Sequence, residues 1–169
     1  MRLRPKLLRM QPLDRPLDRI DHALLALLQE DARLANKELA ARVGLAASTC
    51  HARVQRLIEC GVVRGFHADV DPRAVGVQLQ AIVFVQLESH GGSRTEALRD
   101  DLLEQSEVLQ LFHVGGSQDL LLHVAVRDTE HLRSLVMDRI TTRSEVRHIE
   151  TSILFEHHTS PLRPAPRPS

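Results

Sequence analysis

The sequence predicts an α+β chain in two parts: three helices first, then a sheet unit of βαββαβ order. Three observations predict it. Apolar residues recur at helical spacing from Ile20 to Ile58. The period changes after Gly61, where VVRGFHADV (Val62–Val70) carries β-branched residues around a central glycine. From Ala81 onward, short apolar runs alternate with amphipathic stretches.

The first helix begins near Leu17, with Ile20, Ala23, Leu24, Leu27 and Leu28 on its inner stripe, and ends near Asp31. Asp18 is its expected N-cap, and Asp21 three residues on completes a capping-box pattern. Asn36 is the expected cap of a second helix, with Leu39, Ala40 and Val43 inward. Gly44 supplies the turn into a third helix, Ala47–Cys60, whose inner stripe is Cys50, Val54, Leu57 and Ile58. Val62–Val70 is expected to form a short hairpin beside it. Together these elements describe a winged helix-turn-helix.

Asp71-Pro72 and Gly76 break the chain, so 71–78 is the expected linker. The second part then runs strand Ala81–Glu88, helix Arg94–Gln105, strand Val108–Val114, strand Leu120–Val126, helix Thr129–Ile140 and strand Val146–Phe155. The helices face inward through Ala97, Leu98, Leu102 and Leu103, and through Leu132, Leu135, Val136 and Ile140. This is the ferredoxin-like order, in which helices cover one face of a sheet. Val108, Leu109, Leu111, Phe112 and Val114 place apolar groups on both faces of one strand. A face left over by the helices points to self-association. The expected organisation is a basic arm at 1–16, the winged helix-turn-helix at 17–70, the linker at 71–78, a ferredoxin-like domain at 79–160 and a Pro-rich tail at 161–169.

Composition narrows the function. The formal net charge is zero, but residues 1–64 hold 12 Lys/Arg against 7 Asp/Glu, and the remainder is acidic. A basic first part suits a polyanion. No apolar run is long enough for a membrane span, and no signal peptide is legible, so a cytoplasmic protein is expected. Cys50 and Cys60 lie about 15 Å apart on one helix, too far for a disulfide, and read as small apolar groups. Ten histidines show no metal-ligand spacing, no catalytic motif is present, and neither a metal, a cofactor nor an enzyme activity is expected.

On the third helix the positions outside the inner stripe are Ser48, Thr49, His51, Ala52, Arg53, Gln55 and Arg56. A major groove admits a helix and presents donors and acceptors to such side chains. The N-terminal residues of a recognition helix reach base edges, which selects Ser48, Thr49, His51 and Ala52. Arg53 and Arg56 are candidates for phosphates or guanines, Gln55 lies on the same side, and Arg64 and His67 would sit on the wing. The bland alternative is a solvated polar face on a bundle helix.

Leu17–Gly76 resembles the DNA-binding domain of the leucine-responsive regulatory protein (Lrp/AsnC) family. The matching pieces are LDxID at Leu17–Asp21, ELAxxVGL at Glu38–Leu45, Ser-x-Cys-xx-Arg-Val at Ser48–Val54 and RLxxxGVV at Arg56–Val63. The second part resembles the same family's ligand-sensing domain, with G-x-x-D at Gly116–Asp119 and Thr151-Ser152 in the last strand. The resemblance implies a transcriptional regulator that binds double-stranded DNA as a homodimer or octamer. It implies an effector, an amino acid or related small molecule, bound between sensing domains and acting through the oligomeric state. Gly116, Ser117, Gln118 and Asp119 would hold its charged ends, and Thr151 and Ser152 would add hydroxyls. Taken without the resemblance, Gly116–Asp119 reads as an ordinary hairpin turn. The chain departs from the family in having Ala46-Ala47 for Ser-Pro, Phe66 for Tyr, and no aromatic near Gln118. Two other functions remain compatible: an architectural DNA-binding protein without effector, and a subunit of an amino-acid metabolic enzyme.

Overall fold

A computed structural model of the chain describes residues 15–88 and 93–162. Most of the arm and tail expected at the two ends lies outside them. The described chain divides into two compact units, residues 15–68 with 159–162, and Asp69–His158.

The first unit holds α1 (Arg19–Glu30), α2 (Asn36–Val43) and α3 (Ala47–Glu59). Asp18 caps α1 as expected: its Oδ1 accepts from the amides of Ile20 and Asp21, and Asp21 Oδ2 accepts from the Asp18 amide. Both halves of a capping box are therefore made. Leu24 and Leu28 are buried, but Ala23 is exposed, and the third buried position of the helix is the charged Asp21. Asn36 is not the cap of α2. Ala35 holds that position without a side-chain bond, and Asn36 is the first helical residue. Its Nδ2 instead donates to the Ala47 carbonyl at 2.8 Å, tying α2 to the start of α3. Gly44 ends α2 at φ 69°, left-handed backbone that favours glycine, and Leu45 N–H closes the turn on Ala40 O. The core gathers Leu24, Leu28, Leu39, Ala40, Cys50 and Leu57. Burial pushes the Cys50 thiol up, as expected of a cysteine serving as a small apolar group.

The hairpin expected over Val62–Val70 is not formed. That stretch contains no strand, and Phe66 is exposed. Val62 and Val63 pack against the helical core instead of pairing with a second strand. The expected linker contains a short regular turn. Asp71 caps a 3-10 turn over Pro72–Val75, and Gly76 ends it at φ 83°.

The second unit contains β1 (Leu79–Leu87), α4 (Ser93–Glu104), β2 (Val108–His113), β3 (Leu120–Val126), α5 (Thr129–Ser134) and β4 (Val146–Leu154). The strands form one antiparallel sheet in the order β2-β3-β1-β4. Ala81, Val83, Val85 and Leu87 alternate along β1 and are buried with Leu120, Leu122, Val124 and Val126 of β3. Leu98 and Leu102 of α4 cover them, whereas Ala97 and Leu103 are exposed and Thr95 is buried in their stead. The last helix departs from α-geometry after Ser134, where Leu135–Ile140 winds as a π-helix. Leu135 and Ile140, five residues apart, are both buried, and a wider turn is what brings that spacing to one face.

The opposite face of the sheet carries Gln80, Ile82, Phe84 and Gln86 of β1, Leu121 of β3 and Phe112 of β2. Phe112 is 48% exposed. The apolar second face expected from the sequence is thus present; the helices of this unit pack on the other face, and His123 on this one is buried beside the His157 ring.

Candidate nucleic-acid interface and effector loop

Helix α3 presents its outer stripe through Ser48, Ala52, Gln55 and Glu59, spaced i, i+4, i+7 and i+11. Thr49 and His51 flank it. All six are exposed. The N-terminal half of that stripe is short, uncharged and rich in hydrogen-bonding groups, which matches base edges in a groove better than it matches phosphates. Arg64, after the helix, is also exposed.

Arg53 and Arg56 are placed differently. Their side chains are 21% and 18% exposed and turn toward the start of α1. Arg53 Nη1 donates to Asp18 Oδ2 at 2.7 Å and to Asp21 Oδ1 at 2.9 Å. Arg56 Nη2 donates to Asp21 Oδ2 at 2.8 Å. Arg15 joins the same group through Asp18 Oδ2 at 2.9 Å. The Asp21 carboxylate is fully buried, and its two oxygens accept from both arginines of α3. The Arg53 guanidinium, then the Asp21 amide and Arg15, holds the Asp18 carboxyl well below the usual carboxylate range. The same pair pushes Arg53 further up. The sequence does not reveal this arrangement, because capping alone accounts for Asp18 and Asp21 locally. The available signal was an acidic residue, Asp21, one position along from Ile20 and three before Leu24 on a helix facing a basic one.

In the second unit, Gly115, Gly116 and Ser117 are exposed between β2 and β3, and Gly116 has φ 129°. Gln118 is partly buried, and its Oε1 is buried without a hydrogen-bond partner. Asp119 is 8% exposed and turned inward: its Oδ2 accepts from Leu87 N–H at 2.8 Å, while its own amide donates to Val85 O. Thr151 pairs with Val83 and Ser152 with Ile82, so the two hydroxyls lie on opposite faces of the sheet. Both are on β4, with β1 between them and β3, so one chain does not bring them to the loop. The described residues contain no group of His, Cys, Asp and Glu suited to a metal ion.

A helical head with a polar outer stripe, followed by a β2-β3-β1-β4 sheet with a glycine-rich loop, can be compared with known proteins. Residues 17–64 match the model "Winged helix-turn-helix DNA-binding", and residues 80–161 match "Lrp/AsnC ligand binding domain". The chain belongs to the Lrp/AsnC family of transcriptional regulators. Among its relatives is the HTH-type transcriptional regulator AldR of Mycobacterium tuberculosis, 43% identical over 141 residues, covering 83% of this chain and 79% of AldR. The crystal structure of MtbAldR matches with a TM-score of 0.75 at 39% identity, covering 89% of this chain and 100% of that one. The L-Met complex of a transcriptional regulator from Neisseria meningitidis matches with a TM-score of 0.80 at 31% identity, covering 87% and 96%.

As an Lrp/AsnC protein the chain is a DNA-binding regulator and not an enzyme. Its second unit is the ligand-binding domain of the family. No helix among the described residues is long and apolar enough to cross a membrane.

Proposed function

We propose that this chain is a cytoplasmic, sequence-specific regulator whose DNA contacts come from the outer stripe of α3 and whose response comes from an amino acid held at the Gly115–Asp119 loop. Ser48, Thr49, His51, Ala52 and Gln55 read base edges, and Arg64 meets the backbone. The observation that carries the effector reading is the orphaned Gln118 Oε1. A buried amide oxygen without a partner is costly, and an ammonium group supplies the missing donor. The exposed amides of Gly116 and Ser117 suit the carboxylate of the same molecule. Asp119, engaged with the Leu87 amide, holds the loop against β1.

The ligand's remaining contacts come from a second copy. Thr151 and Ser152 lie two strands away from the loop, about 10 Å by strand spacing alone, so they serve the effector of a neighbouring chain. The apolar residues on the face away from the helices, Phe84, Leu121 and Phe112, support a dimer built sheet to sheet, with further assembly to an octamer. An effector that prefers one assembly then changes how many heads a stretch of DNA meets.

The test is fluorescence anisotropy on a labelled duplex from upstream of the chain's own gene, with unrelated competitor and with or without pooled amino acids. The reading expects binding that survives competitor and shifts with the pool, and loss of that shift in Gln118→Leu. Binding indifferent to every amino acid would leave a regulator without this effector.

A further inference from the structure

The two arginines of the recognition helix are held by a buried acidic residue of a different helix. We propose that Asp21, assisted by Asp18, is the positioning residue of the DNA-binding head: it keeps Arg53 and Arg56 inside the protein, where they fix the pose of α3, and away from DNA. This rests on the reading of α3 as the helix that enters the groove.

Asp21 is wholly inaccessible, and its Oδ1 and Oδ2 each accept from a different arginine, one helical turn apart on α3. A buried carboxylate needs its cations, since an unpaired charge there is strongly disfavoured. If Arg53 or Arg56 swung out to a phosphate, Asp21 would keep one cation less in a dry site. DNA would have to compensate that loss before any contact was gained. The geometry also locks direction. Arg53 Nη1 lies between Asp18 Oδ2 at 2.7 Å and Asp21 Oδ1 at 2.9 Å, so the guanidinium is held from two points. Those two carboxylates are themselves fixed by the capping box of α1. One acidic pair thus caps α1 and sets the rotation and lateral position of α3 against it. Rotation matters because Ser48, Ala52 and Gln55 form a narrow stripe, and a small turn of α3 carries them off the base edges.

The arrangement gives effects of unusual sign. Removing an acidic charge beside a DNA-binding surface ordinarily tightens binding. Here it loosens α3 and weakens binding. A phosphate-contacting arginine would behave otherwise: neutralising Asp18 would release it toward DNA.

The experiment uses the full chain and a duplex that the wild-type chain selects from a random pool. Affinity is read across a range of salt concentrations, with the active fraction fixed by stoichiometric titration so that unfolded protein is not counted as weak binding. Asp18→Asn retains an oxygen for the cap and concerns a half-exposed residue, so it is the variant certain to be usable if Asp21→Asn folds poorly. The proposal expects about 3-fold weaker binding for D18N and about 10-fold for D21N and for Arg53→Gln, with the D21N/R53Q pair no worse than the weaker single variant. The slope of log affinity against log salt stays at the wild-type value throughout. Tighter binding by D18N overturns the proposal. So does a slope reduced by about 0.9 in R53Q, the signature of one lost phosphate contact. Should the wild-type chain select no sequence at all, the failure lies in the reading of α3 and takes this proposal with it.

Discussion

The two units each bury an aspartate, and they satisfy it in different ways. In the helical head, Asp21 receives the guanidinium groups of Arg53 and Arg56 from another helix. In the sheet unit, Asp119 accepts the backbone N–H of Leu87 on a neighbouring strand. A helix spends its interior amides on itself, so Asp21 finds one free amide at the helix start, that of Asp18, and must take its other partners from side chains elsewhere. A strand end has amides to spare, and a nearby carboxylate can take one. The head is therefore held partly by long-range charge, and the sheet unit by apolar layers with a backbone clasp at the loop.

Removing the head's charge centre is expected to have the largest effect. Asp21→Ala leaves two arginines without their buried partner and is expected to cost about 4 kcal/mol, measured by urea unfolding of the head's helical signal. A loss under 1 kcal/mol would mean that solvent already screens the cluster. The sheet unit responds to volume instead. Leu122→Ala empties a fully buried site on β3 between the sheet and the helices, and a loss of about 3 kcal/mol is expected in the unit's own transition. Gly44→Ala places a Cβ on left-handed backbone at φ 69° with open space around it, so strain alone acts and about 1 kcal/mol is expected.

The smallest effect is a separation of the two units by pH. Asp18 is held below its ordinary range in the folded head, chiefly by Arg53. Its contribution is present above the unfolded carboxylate pKa and fades as pH falls below about 4. His123 is also lowered, first by burial and then by the neighbouring His157 ring at 5.3 Å. The folded sheet unit keeps it neutral, with Nε2 against Gln80 Oε1 at 2.8 Å. The unfolded chain takes up that proton below about pH 6.5, so the sheet unit loses this stability as pH falls through that range while the head does not. Thermal melts of both units from neutral to acid pH check the order, and His123→Gln should flatten the sheet unit's part of the profile. A head that weakened first would reverse the assignment.

How much was legible varies by element. The capping box at Asp18 and Asp21, the Gly44 turn and the β3 span Leu120–Val126 were readable because each depends on residues within one turn or one strand. Asn36 was misread as a cap because its side chain binds Ala47 O on another helix, a partner that local pattern does not reveal. The hairpin over Val62–Val70 was misread because β-branched residues also fill gaps beside helices, and Val62 and Val63 do so. The third helix lies where its apolar spacing predicts it, and its outer stripe follows from periodicity. The inward turn of Arg53 and Arg56 does not, since exposure by helical wheel assumes that a polar residue off the apolar stripe faces water.

Helix and strand order, the family and the class of function follow from the chain alone, because periodicity, caps and motif spacing are properties of neighbouring residues. Which charged residues face water and which are buried in pairs depends on packing. Asp21 and Arg53 are 32 residues apart in sequence, and their pairing exists only once α1 and α3 have packed. The same holds for Gln118, whose unpartnered oxygen becomes apparent only when burial closes around it. Burial and pairing depend on what the remainder of the fold brings near, and that is why they cannot be read from local spacing.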